Sequence, residues 1–224
     1  MERKTLSFIG FAKPQPPDLK MIRRLAPFFL VIWFALSAIA QTDTVALGKH
    51  IAEAAFKQVG ATVSYDPGYT RIPYPGGDVP MERGVCTDVV IRALRANGYD
   101  LQKLVHEDLV KNFKQYPHLW NLPGPDTNID HRRVPNLQTF FTRHGMQLPV
   151  PKTGADVDPG DFIVWRLPVS KLLHIGVVST RFTPDHTRPL MIHNIGHGAQ
   201  EEDVLFAFDI IAHYRWSAGV SSIR

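Results

Sequence analysis

Cys86 is the only cysteine in 224 residues. A lone sulfur cannot join an intramolecular disulfide or a cysteine-based zinc site, so its own reactivity is the question. Val85, Val89, Ala93 and Leu94 fall at helical spacing and Gly98 follows Asn97. This pattern predicts a helix from Gly84–Cys86 to Asn97, with Cys86 at its start. Free N–H groups and the dipole there stabilise a thiolate and can hold the oxyanion formed when sulfur attacks an acyl carbon. A base is still needed. His174 heads an apolar run far downstream, and His193 or Asn194 on the next run can fix its tautomer. Successive strand residues face opposite sides, so only one of those two can face His174, and His193 is favoured. The plain alternatives are a buried core thiol and a hydrogen-bonded structural histidine. Against the first, a helix-start position exposes Cys86 and leaves the apolar face to Val85, Val89 and Ala93.

Other clusters carry weaker signals. Asp88 falls in the first turn of the same helix, where its charge suits the dipole but disfavours a neighbouring thiolate. Asp130, His131, Arg132 and Arg133 crowd one segment. The arginine pair can clamp a peptide carboxylate; otherwise the segment is a solvated loop with Asp130 near the start of the next helix. His193, His197 and Glu201 have metal-ligand chemistry, but Gly196 and Gly198 between them argue for a turn, so no metal is expected. Trp120, Trp165, Phe140 and Phe141 read as core or cleft wall.

The whole chain is 44% hydrophobic and 21% charged, ordinary for one globular domain and long enough to bury a core. Its net charge of +4 comes from the N-terminal region: residues 1–40 hold six of the 25 Lys/Arg and two of the 21 acids, and the remainder balances. With no basic stripe left, nucleic-acid binding is not expected. Residues 21–40, MIRRLAPFFLVIWFALSAIA, combine Arg23 and Arg24, an apolar run and Ala38-Ile39-Ala40. This is the pattern of a secretory signal peptide, with an uncleaved anchor as the alternative. The expected organisation is a misassigned leader over 1–20, a signal peptide over 21–40 and one domain over 41–224. The expected destination is the bacterial periplasm or exterior, with no stable membrane insertion after cleavage.

The elements that must position the chemistry come in two blocks. Helices are predicted over 44–60, from Cys86 to Asn97, over Leu101–Tyr116 and over Val134–His144, with irregular loops over 64–84 and 117–133. Strands follow at Phe162–Trp165, His174–Ser179 and Leu190–Ile195, with one or two more between Val204 and Trp216. Helices first and strands second argue for an α+β fold with an antiparallel sheet. No glycine-rich phosphate loop follows a strand, so nucleotide binding is not signalled.

Several of these segments resemble one family. Tyr74-Pro75-Gly76-Gly77 followed by Cys86 on a helix, Pro159-Gly160-Asp161-Phe162-Ile163-Val164-Trp165, His174-Ile175-Gly176-Val177-Val178 and Ile192-His193 are similar to the ordered motifs of the NlpC-type cell-wall cysteine peptidases, a papain-like superfamily. Gly76-Gly77-Asp78-Val79-Pro80, Gly84-Val85-Cys86-Thr87-Asp88, Asn128-Ile129-Asp130-His131-Arg132-Arg133 and His193-Asn194-Ile195-Gly196 resemble more closely a secreted bacterial family within it, domain of unknown function 1287. The resemblance covers most of residues 70–195. It implies a papain-like, NlpC-type α+β fold with N-terminal helices on an antiparallel sheet, and an exported hydrolase cleaving amide bonds without a cofactor. Peptidoglycan stem peptides, or another peptide, would be the substrate. Cys86 would be nucleophile, His174 general base and then acid, and His193 its orienter. Tyr74 would donate toward the oxyanion, while Asp88, Asn194, Arg132 and Arg133 would line the substrate site. The pattern departs where Val85 precedes and Thr87-Asp88 follows the nucleophile, and the tyrosine-to-glycine spacing is one residue short. A non-catalytic wall-binding module and a thiol acyltransferase are the rival readings.

Overall fold

The computed structural model describes residues 43–144, 146–217 and 219. The signal-peptide and leader readings fall outside them. Four helices are described: α1 (43–56), α2 (Cys86–Ala96), α3 (Leu101–Asn112) and α4 (Val134–Arg143). A two-stranded parallel ribbon, β1 (Ser64–Tyr65) on β2 (Arg83–Gly84), precedes α2. The main sheet has six antiparallel strands: β3 (Gln147–Leu148), β4 (Phe162–Arg166), β5 (Leu173–Phe182), β6 (Pro189–Asn194), β7 (Ala199–Glu202) and β8 (Asp209–Tyr214). Their spatial order is β3-β8-β4-β5-β6-β7. The fold is α+β, with helices packed on an antiparallel sheet. No helix among the described residues is long and apolar enough to cross a membrane.

Strand alternation divides the sheet chemically. Phe162, Val164, Ile175, Val177 and Ile192 pack with Val89, Ala93, Phe140 and Phe141 in one core. Ile163, Trp165, Val178 and Met191 form a smaller cluster with Leu205. By the same two-residue period, His174 and His193 lie on the Trp165 and Met191 side. Trp165 is the cross-strand partner of His174.

One strand, Asp209–Tyr214, forms between Val204 and Trp216, within the one or two expected, and an unforeseen strand forms at Ala199–Glu202. The latter, Ala-Gln-Glu-Glu, has little intrinsic strand preference and is made by pairing with β6, Ile192 opposite Glu201 and His193 opposite Gln200. Gly196 and Gly198 lie in the connecting hairpin, so the turn reading describes them.

The Asp161 of the Pro-Gly-Asp motif is a structural pin. Its buried carboxylate accepts from Arg215 Nε and Nη2 at 2.7 and 2.8 Å and lies 2.8 Å from His213 Nε2, joining the start of β4 to the end of β8. Burial opposes ionisation there, but the Arg215 and His213 bonds win and hold the carboxyl below its usual range. A depressed carboxyl stabilises the fold above its unfolded value, and that contribution fades as pH falls through the native one. Asp161→Ala is expected to cost roughly 1–3 kcal/mol, the range for removing a buried hydrogen-bond acceptor, because Arg215 keeps its pair with Asp158 at 2.7 Å. Urea unfolding at neutral and acid pH would measure this, and the variant's stability should fall less steeply below about pH 4.

Candidate active site

Cys86 is the first helical residue of α2, and the chain reaches it through β2. Asp88 fixes this geometry by turning its carboxylate back to accept the Val85 N–H at 2.6 Å. Gly84 leaves the space for it, since a Cβ at that position would stand 3.0 Å from the carboxylate oxygen. Asn194 holds the same backbone from the sheet, donating through Nδ2 to the carbonyls of Gly84 at 3.0 Å and Ser64 at 3.2 Å.

The sulfur is only 5% exposed as a residue. The backbone N–H groups of Ile175 and Thr87 approach it and favour the thiolate, which puts the sulfur near the backbone of β5 at Ile175. The expectation of an exposed thiolate is corrected here. Burial, opposed in part by these N–H groups and aided by the Asp88 charge, pushes the thiol up to about 11. Burial and then the neighbouring His193 push His174 down to about 3. At neutral pH the site therefore holds a neutral thiol and a neutral imidazole. The expectation that Cys86 faces His174 is corrected as well: the sulfur packs in the core on the Ile175 and Val177 side of β5, whereas the His174 ring lies on the opposite, Trp165 side and is not among the residues lining the cleft, and no hydrogen bond among the described residues joins the two.

The imidazole of His174 is positioned on several sides. Its Nε2 lies 2.8 Å from His193 Nδ1, and His193 Nε2 lies 3.0 Å from Glu202 Oε2 on β7. Trp165 stacks on the His174 ring with centroids 5.6 Å apart and planes at 24°, its own Nε1–H held by Leu205 O at 3.0 Å. Gly176, two residues along the same face, permits this approach: a Cβ there would meet Trp165 at 3.0 Å and His193 at 3.1 Å. His174 Nδ1 has no protein partner among the described residues. His193, not Asn194, is thus the residue that faces the imidazole.

A cleft of about 760 Å³ opens beside Cys86. Tyr65, Tyr69 and Trp120 supply aromatic wall, and Arg132, Arg133, Arg166 and Lys171 also line it, with no Asp or Glu among the described lining residues. Arg166 and Lys171 form no ion pair among the described residues. Arg133 is held over the Trp120 ring, 3.9 Å from its centroid, and pairs with Asp130 at 3.1 Å.

The model of the family described as domain of unknown function DUF1287 matches residues 52–216. The chain belongs to the DUF1287 family. Uncharacterized protein YijF from Escherichia coli (strain K12) is 60% identical over 166 residues, covering 74% of this chain and 80% of that protein. A solved structure, NlpC1 from Trichomonas vaginalis, aligns with a TM-score of 0.40 and 12% identity over 75% of this chain and 44% of that one. The chain thus spans less than half of that protein, and no shared mechanism follows from a likeness at this level.

In this DUF1287 chain three further expectations change. Tyr74 does not reach the cleft: it is 41% exposed and its ring sits edge-on to His106 of α3. Its loop is tied to the start of α3, where Asp100 accepts the Gly76 N–H and Gln102 bonds both Gly77 N and Pro73 O. Tyr65 of β1 stands beside Cys86 instead. Burial, then the nearby Cys86 and Asp88, push its phenol up to about 12, so it stays a donor. The Arg132 clamp is also corrected. Its guanidinium makes two 2.9 Å bonds to Asp88 with both side chains buried, which leaves it no carboxylate-binding role. Asp88, held in this way, is likewise a structural residue, and Asn194 serves the backbone. Tyr65, Glu202, Arg166 and Lys171 were missed by sequence reasoning; only the alternation of His193 with Asn194 hinted that a partner from the next strand was needed.

The Asp88–Arg132 pair makes a testable statement. Asp88→Asn removes a negative charge beside the sulfur and leaves a buried cation near it, so both changes lower the thiol's value below about 11. Alkylation of Cys86 by iodoacetamide, followed against pH, should shift toward lower pH, while urea unfolding shows a loss of roughly 3–5 kcal/mol.

Proposed function

We propose that this chain is an exported cysteine hydrolase that cleaves amide bonds in acidic peptides, with peptidoglycan stem peptides as the substrate. The observation that carries this reading is the cleft-lining Cys86 at the start of α2, set against the backbone of β5 beside His174, whose ring begins the hydrogen-bonded row His174–His193–Glu202 on the opposite face of that strand. The proposed cycle requires the His174 ring to turn from the Trp165 side of β5 to the cleft; the Cys86 S–H proton then passes to His174 Nδ1 as sulfur bonds to the carbonyl carbon. The proton then moves to the leaving nitrogen as the C–N bond breaks, leaving a thioester. Water attacks that thioester, giving a proton to His174, and the sulfur departs and recovers it. Tyr65, which lines the cleft with Cys86, is the side chain proposed to donate to the developing oxyanion. Because both resting partners are neutral, His174 acts as a general base rather than as the cationic half of a preformed ion pair.

The substrate class follows from the cleft. Aromatic and aliphatic wall accommodates a peptide, and unpaired Arg166 and Lys171 beside an acid-free lining favour a carboxylate-bearing one. Purified sacculi incubated with wild type should release new peptide fragments, and Cys86→Ala should release none; equal yields from both would reject the mechanism. The rim charge has its own readout. Cys86 is the sole thiol, so its modification by an anionic methanethiosulfonate relative to a cationic one reports the local potential. Arg166→Gln with Lys171→Gln should lower that ratio several-fold at low salt, with a smaller change at high salt.

The deep burial of Cys86 favours one alternative, a binding module that keeps the cleft without turnover. Alkylation separates the two: modification at neutral pH that slows in His174→Ala supports the hydrolase, and an unreactive thiol in both proteins supports the module.

A further inference from the structure

Three consecutive acids, Glu201, Glu202 and Asp203, lie at the end of β7 and just beyond it. Glu201 pairs with Arg181, and Asp203 with Arg188. Among the described residues Glu202 has no cationic arginine or lysine partner; its carboxylate meets the buried ring of His193 at 3.0 Å while its side chain remains 48% exposed. The β6–β7 register brings this about, setting Glu202 opposite Met191, two residues from His193 on β6.

This contact has a consequence for every proton in the row. An ionised carboxylate only accepts, so the hydrogen on His193 must sit on Nε2. A neutral imidazole has one N–H, so His193 Nδ1 is a lone pair. His174 Nε2, 2.8 Å away, must then carry its own hydrogen and donate it. The one remaining nitrogen, His174 Nδ1, is bare. Burial keeps both rings on the neutral side, which preserves this count. Without the carboxylate the row can invert: His193 Nδ1–H donates to His174 Nε2, and the hydrogen of His174 moves to Nδ1. An Nδ1 that already bears hydrogen cannot accept one from sulfur.

We propose that Glu202 is a positioning residue that sets the tautomers of both histidines and so leaves His174 Nδ1 as the basic nitrogen. The proposal deepens the hydrolase reading and rests on it for its catalytic meaning, but the tautomers can be measured without turnover. Long-range ¹H–¹⁵N correlation spectra of the labelled protein at neutral pH should show His174 and His193 both protonated at Nε2. In Glu202→Ala a population of both rings protonated at Nδ1 should appear. Alkylation of Cys86 at pH 7 should slow roughly tenfold or more in the same variant, a fraction of the ~10²–10⁴-fold that a general base contributes. Glu202→Asp, which keeps the charge, should recover more of that rate than Glu202→Ala. A wild-type spectrum with His174 protonated at Nδ1 would overturn the proposal, as would tautomers unmoved by Glu202→Ala. The wild-type spectrum decides the matter even if a variant folds poorly. Tautomers as proposed alongside intact sacculi would uphold the role of Glu202 and reject the hydrolase reading.

Discussion

The carboxylate of Asp88 binds in two directions at once, and the local architecture hangs on that. Toward the backbone it caps α2 and fixes the turn that delivers Cys86. Away from it, both oxygens hold Arg132, whose own carbonyl accepts from Thr87 Oγ1 at 3.0 Å. The 129–133 segment is thereby tied to the first turn of the helix, and it supplies Ile129 and Arg133 to the cleft wall. Two ions buried together compensate each other only with good geometry and further hydrogen bonds, which these have. From the sheet, Asn194 adds a second hold on the same few backbone atoms. The position of Cys86 is therefore defined by the helix cap, the ion pair and the strand β6 together.

That arrangement sets two physical effects against each other. A helix start contributes about 0.3–1 kcal/mol toward an anion at an exposed position. Desolvation of a fully buried thiolate acts in the opposite sense and is larger, and Asp88, needed for the cap, adds repulsion. The thiol is consequently held protonated. The His174 imidazole, on the other face of β5, responds to the same loss of water in its own way, by staying uncharged. The two groups therefore form no ion pair.

Much of this was legible in the sequence, for identifiable reasons. The spacing of Val85, Val89, Ala93 and Leu94 places α2 because an amphipathic helix with a glycine beyond its end is a strong local signal. Helices before strands give the α+β class, and strand alternation separates His193 from Asn194. What failed to appear depends on long-range pairing. Tyr74 and Tyr65 both precede Cys86 in loop-like sequence, and only the bonds of Gln102 and Asp100 decide which is carried away from the cleft. Arg132 and Arg133 look equivalent as neighbours, yet one faces Asp88 and the other Trp120. Strand β7 has no strand-forming composition, so Glu202 had no visible place beside a histidine.

The burial of the sulfur reaches beyond the reaction itself. Peroxide oxidation and disulfide exchange both proceed through the thiolate and need access to it. A cysteine that stays protonated and almost covered is a poor target for either. The same burial that holds Cys86 protonated therefore also slows its oxidation.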